Sequence, residues 1–137
     1  MAYDTIEHTA DLGVRVAAPD EPALFAESVA AMRDLMTAPE RLRPRETVTI
    51  AVEGADRADL LVNWLREVLY LWHGRDLLAV RSEIDQWSER RLRGRVQCDP
   101  YDPNRHELRH ELKAVTYHDL RVESGPDGWE AVVVFDV

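Results

Sequence analysis

The sequence predicts an α+β fold: a two-layer sandwich with a predominantly antiparallel or mixed sheet and two helices packed on one face. Three observations carry this expectation. Apolar residues recur at helical spacing in two stretches of the first half, they alternate with polar ones elsewhere, and four strand-like stretches crowd the second half. A doubly wound parallel sheet would instead alternate strand and helix regularly. At 137 residues the chain is long enough for one core and too short for two, so residues 1–137 form a single domain. It holds no repeat, low-complexity tract or flexible linker.

The elements follow in order. Tyr3 to Glu7 is extended, His8 to Asp11 is a tight connection, and Leu12, Val14 and Val16 alternate with Gly13, Arg15 and Ala17 as a half-buried strand. Asp20 stands at a helix N-cap, with Pro22 in the first turn. Leu24, Phe25, Val29, Met32, Leu35 and Met36 supply the apolar face, and Pro39 and Pro44 stop the helix. Val48, Ile50 and Val52 alternate as another strand, closed by Gly54. Asp56 or Asp59 caps a second helix, whose stripe runs from Leu60 through Trp64 and Leu65 to Trp72 and ends at Gly74. Strands are then expected at Leu78 to Ser82, extending past Ile84 and Trp87, and at Leu92 to Cys98, Leu112 to Glu123 and Trp129 to Val137. The turn Gly125-Pro126-Asp127-Gly128 joins the last two as an antiparallel hairpin. One long sheet under two helices is the arrangement these elements suggest.

Seventeen Lys and Arg against 26 Asp and Glu give a net charge of −9. Sequence-independent nucleic-acid binding needs clustered positive charge, so RNA is expected to be touched only indirectly. An acidic surface suits a hard cation or a partner with a basic face. Cys98 is the single cysteine, which excludes an internal disulfide and agrees with a reducing compartment. The start lacks a signal-peptide pattern and no apolar run approaches membrane-spanning length, so a cytoplasmic protein without membrane contact is expected.

Among the residues that can carry chemistry, Asp11 stands at a strand entrance, and Asp136 precedes the terminal Val137 with its free α-carboxylate. If the first hairpin and the last strand are neighbours, these three carboxylates converge as hard oxygen ligands for Ca²⁺ or Mg²⁺. Two carboxylates about 4 Å apart repel by roughly 4 kcal/mol at an effective dielectric of 20, which calls for a cation, a proton or mobility. The same residues also have plainer roles, Asp11 as a turn cap and Asp136 as a solvated end. His8 and His118 adjoin predicted strands and can serve as general acid or base beside a metal, or simply bond a turn. Nucleophile-elbow, phosphate-loop and dinucleotide glycine patterns do not occur. Cys98 reads as a small buried hydrophobe. Lys113, the one lysine, can offer a point charge to a partner. Arg90 to Arg95 reads as a salt-bridged, solvated strand.

Several segments together resemble the archease family, small proteins that assist the RtcB-type RNA ligase in tRNA splicing and RNA repair. They are Glu7-His8-Thr9-Ala10-Asp11-Leu12-Gly13, Asp34-Leu35-Met36-Thr37, the Trp64 helix, the block from Tyr101-Asp102-Pro103-Asn104-Arg105-His106-Glu107-Leu108 through Lys113-Ala114-Val115-Thr116-Tyr117-His118, and Phe135-Asp136-Val137. The likeness spans the chain and thins between Arg75 and Arg95. It implies a metal site made by Asp11, Asp136 and Val137, with Ca²⁺ as the expected ion and Mg²⁺ or Mn²⁺ as alternatives. It also implies a ligase contact at Lys113.

The leading expectation is therefore a non-enzymatic activator that promotes guanylylation of the ligase and its repeated turnover through a carboxylate-bound divalent metal. Two other classes stay open. One is a metal-dependent hydrolase using His8 or His118; the other is a general chaperone or modulator of RNA-modifying proteins.

Overall fold

The computed structural model describes residues 2–8 and 11–137, with the backbone alone for residues 2 and 6–8. The expected tight connection from His8 to Asp11 therefore falls largely outside the described residues. In chain order the elements are β1 (Ala2–His8), β2 (Asp11–Ala18), α1 (Glu21–Met36), a 3-10 turn (Pro39–Arg41), β3 (Glu46–Glu53), α2 (Arg57–Arg75), β4 (Leu77–Trp87), β5 (Arg91–Pro100), β6 (Ala114–Gly125) and β7 (Gly128–Asp136).

Local chemistry places the helices where the sequence puts them. The Asp20 carboxylate accepts the Ala23 N–H at 2.8 Å at the start of α1, and Asp56 accepts that of Asp59 at 2.9 Å at the start of α2. The expected stop at Gly74 is corrected: α2 runs to Arg75, and Asp76 takes the left-handed conformation (φ 53°) that ends it, returning its N–H to the Trp72 carbonyl. Asp adopts this conformation more easily than most side chains.

The α+β class stands, with all strand pairs antiparallel, but the single long sheet does not. The strands form two sheets, β1-β2-β7-β6 and β3-β5-β4. They divide because the chain leaves β5 at Pro100 and crosses through residues 101–113 without a strand before β6 joins β7. Leu112, expected to open β6, is buried in this crossing, and β6 starts at Ala114. The helices bridge the sheets: α1 packs on β2, β7 and β4, and α2 on β6 and on β3, β4 and β5.

One core results. Leu12, Val14 and Val16 of β2, Ala131, Val133 and Phe135 of β7, and Leu92, Val96 and Cys98 of β5 meet the apolar stripes of both helices. Trp64 is fully buried and donates its indole N–H to the Phe25 carbonyl at 3.2 Å, tying α2 to α1. Gly94 makes room for this ring: a Cβ there would lie 2.9 Å from its edge and 2.8 Å from the Glu83 carbonyl. Gly125 and Gly128 close the last hairpin as partners, as the turn composition predicts.

Candidate metal centre and the pinned loop beside it

Strand register builds the candidate site. In the antiparallel β2–β7 pair, Asp11 and Asp136 are direct Cα partners, and Ala114 of β6 lies opposite Asp136 on its other side. Directly opposed residues project on the same face with Cβ atoms about 5 Å apart. The core residues of β7 are Ala131, Val133 and Phe135, so alternation puts Asp136 on the outer face with Val132 and Val134. Asp11 shares that face with Gly13 and Arg15.

Like charges directly opposed destabilise a strand pair. Among the described residues neither aspartate has an ion-pair partner. Val137, 38 % exposed, follows Asp136 at once. Among the described residues no three His, Cys, Asp or Glu side chains gather for a metal ion. The expected ligand set thus consists of two side chains and one chain end. The two opposed carboxylates are hard oxygen donors, the chemistry that divalent cations of the Ca²⁺ or Mg²⁺ type take.

Lys113 lies across the end of β7, where its backbone N–H donates to the Asp136 carbonyl at 2.8 Å and its side chain is exposed. His118 lies on a bulge of β6, where pairing to β7 jumps from Thr116 to Arg121. Its Nε2 is 3.3 Å from the Asp119 carboxylate, and Asp119 has φ 52°. The side chain of His8 lies outside the described residues.

Within the block Tyr101 to Leu108 only His106 is buried, and it joins Asp99 at the end of β5 in a buried polar hub. Asp99 is 0 % exposed, yet its carboxylate accepts the Arg43 N–H at 2.9 Å, Arg105 at 2.8 Å and His106 Nε2 at 2.8 Å, and Arg45 lies at 3.4 Å. Burial alone would raise its pKa. The Arg43 N–H, His106 and Arg105 outweigh burial and hold the carboxyl below the usual range. The Nδ1 of His106 accepts the Asp102 N–H at 3.0 Å, which assigns the ring proton to Nε2, facing Asp99. The Tyr101 ring stacks on His106 and meets Trp72 edge-on.

Beyond the hub the crossing segment is sewn to both helix ends. Glu107 accepts the Ala38 N–H and the Thr37 hydroxyl, Arg109 and His110 donate to the Met36 and Leu35 carbonyls, and His73 Nε2 meets the Leu112 carbonyl at 2.8 Å. The last turn of α1 thereby finds partners for its open carbonyls. Asp34 belongs to the same end: Tyr3 donates to it, Arg33 pairs with it at 2.8 Å, and burial pushes its carboxyl up. Sequence reasoning did not single out Asp99. Strand alternation puts Asp99 opposite in facing to the core residue Cys98, so its burial beside Cys98 left no trace in the pattern.

Cys98 is the buried hydrophobe expected, its thiol pushed up to about 11, mainly by burial. The three arginines of β5 are exposed, and two of them are ion-paired: Arg91 with Glu53, and Arg95 with Glu83 and Asp85. No helix among the described residues is long and apolar enough to cross a membrane.

Fold and site define a class: a two-layer α+β protein whose opposed carboxylates lie at a strand end beside the chain terminus, above a crossing loop pinned to both helices. The chain matches the model of the Archease protein family (MTH1598/TM1083) over residues 3–137. It is 36 % identical over 140 residues to the protein archease of Methanopyrus kandleri, covering 100 % of each chain. It is 34 % identical over 139 residues to that of Pyrococcus furiosus, covering 98 % of each. The solution structure of Methanobacterium thermoautotrophicum protein 1598 superposes with a TM-score of 0.82 at 26 % identity, covering 98 % of both chains. A Thermotoga maritima crystal structure described as an archease, possible chaperone, shares the fold with a TM-score of 0.61 at 21 % identity, over 96 % of this chain and 94 % of that one. The chain belongs to the Archease family.

Proposed function

We propose that this protein is an accessory activator of an RtcB-type RNA ligase in tRNA splicing or RNA repair, promoting guanylylation of the ligase and its multiple turnover. The observation that carries the reading is the register pairing of Asp11 with Asp136 beside the chain end. Membership of the Archease family supports it. Asp11, Asp136 and the α-carboxylate of Val137 would hold a divalent ion, Ca²⁺ first, and Mg²⁺ or Mn²⁺ otherwise. When bound, the ion supplies positive charge that offsets their mutual repulsion and can attract an anionic group. The strand end presents these groups at the molecular rim, where they can enter the partner's active site. Lys113, held at that rim by its N–H bond to Asp136, offers a cation to the ligase surface. The partner supplies the joining chemistry, and RNA meets this chain indirectly.

The test mixes protein, ligase, GTP, divalent metal and RNA ends, and measures product per ligase. The wild type is expected to sustain many turnovers. Asp11→Ala and Asp136→Ala should each lower that yield tenfold or more, about 1.4 kcal/mol of lost coupling, while circular dichroism stays unchanged. Equal yields from wild type and variants would remove the proposed role of the carboxylates.

A further inference from the structure

Opposite charges set across an antiparallel pair stabilise it, and two of the three arginines of β5 are placed in this way. Arg91 lies opposite Glu53 of β3 and pairs with it at 3.4 Å. Arg95 lies opposite Glu83 of β4 and pairs with Glu83 at 2.9 Å and with Asp85 at 3.1 Å. Arg93, between them on the same exposed face, has Ala51 opposite on one side and Gln86 on the other, both neutral. Among the described residues its guanidinium has no ion-pair or hydrogen-bond partner, in a chain of net charge −9.

Arg93 lines an open groove of about 580 Å³ at this end of the sheet, a volume within the range of small-ligand sites. Trp87 lines it as well, and its Cα partner across the strands is Leu92, the chain neighbour of Arg93. Trp64 is buried and Trp72 and Trp129 are partly buried, whereas Trp87 is 52 % exposed, without a ring contact or a place in the core. The groove thus presents an uncovered π-face beside an uncompensated cation. Gln86 and Ser88 add polar groups to its wall. The Ser88 oxygen accepts the Arg91 N–H at 3.2 Å, which leaves the hydroxyl proton free to donate.

We propose that this groove binds a nucleoside phosphate, with the base against the Trp87 indole and the phosphate on the Arg93 guanidinium. Every nucleobase has a π-face that stacks on an aromatic ring, and the guanidinium fork matches two phosphate oxygens at once. An apolar ligand would cover Arg93 without supplying a counter-charge. A nucleic-acid strand needs cations in succession, and here the flanking Arg91 and Arg95 are already held by carboxylates. The charge pattern therefore selects one short anion. The carboxylate rim belongs to the other sheet, so this site works independently of it.

Equilibrium dialysis against ADP in EDTA, where no cation can bridge the nucleotide to the carboxylate rim, tests the proposal. The wild type is expected to bind a single ADP with a Kd of about 1 mM or below, while adenosine alone and inorganic phosphate alone each bind about tenfold more weakly or worse. Arg93→Gln should weaken ADP binding about tenfold or more, and Trp87→Leu about fivefold or more. Both side chains are exposed and lie outside the core, so both variants should melt like the wild type. Absence of saturation up to about 10 mM ADP would overturn the proposal, as would an affinity that neither variant changes, or inorganic phosphate binding as tightly as ADP. A uridine oligonucleotide that displaces ADP at about a tenth of the ADP concentration would assign the groove to a strand and overturn it equally.

Discussion

Asp99 shows how one side chain can hold distant segments together. Its carboxylate is shared by the linker at Arg43 and Arg45, by the end of β5, and by the loop at Arg105 and His106. Removing the charge leaves these donors around a neutral group in a buried place. Asp99→Asn should therefore cost about 3 kcal/mol, read as a lower denaturant midpoint at neutral pH. The pH dependence follows from the depressed carboxyl. A group whose folded pKa lies below its unfolded value, near 3.9, contributes full stability above that value and loses it as pH falls through the folded one. Wild type and Asp99→Asn should thus differ most near pH 7 and converge as the pH falls through the depressed folded-state pKa of Asp99, as followed by thermal melts. A constant gap across that range would show that the loss is steric.

At the scale of elements, the hairpin between β6 and β7 rests on a backbone that only glycine adopts easily. Gly128 has φ 122°, and a Cβ there would lie 2.5 Å from the Ala18 carbonyl and 3.1 Å from the Pro19 Cα, both rigid backbone atoms. Gly128→Ala is expected to destabilise the fold by about 2 kcal/mol, whereas Gly125→Ala, which meets nothing within 4 Å, should change it little. Chemical denaturation of the two variants separates a demand for glycine from a general loosening of the turn. The caps are simpler. Asp56→Ala removes the acceptor for the Asp59 N–H and should cost about 1 kcal/mol by the same measurement.

For the molecule as a whole, the proposed ligand set spans the chain from Asp11 to its last atom. Extending the chain past Val137 turns a charged carboxylate into an amide carbonyl and puts further residues at the rim. Calcium titration should find affinity lowered at least about tenfold by a C-terminal extension and unchanged by an N-terminal one. Equal affinities would mean that the terminus is not a ligand.

The helix starts, the alternating strands and the final hairpin were legible because each depends on residues close in sequence. Asp20 and Asp56 announce their helices, Leu12, Val14 and Val16 their strand, and Gly125 and Gly128 their turn. Asp11, Asp136 and Val137 could be named as acidic groups in the same way. What local pattern could not decide was pairing. That seven strands divide into two sheets, that Asp11 faces Asp136, and that Asp99 draws Arg43 and His106 to itself are outcomes of register between residues far apart in the chain. Only the closing of one core under two helices selects them, because a shift of one residue would turn Phe135 and Val133 to solvent and carry Asp136 inside.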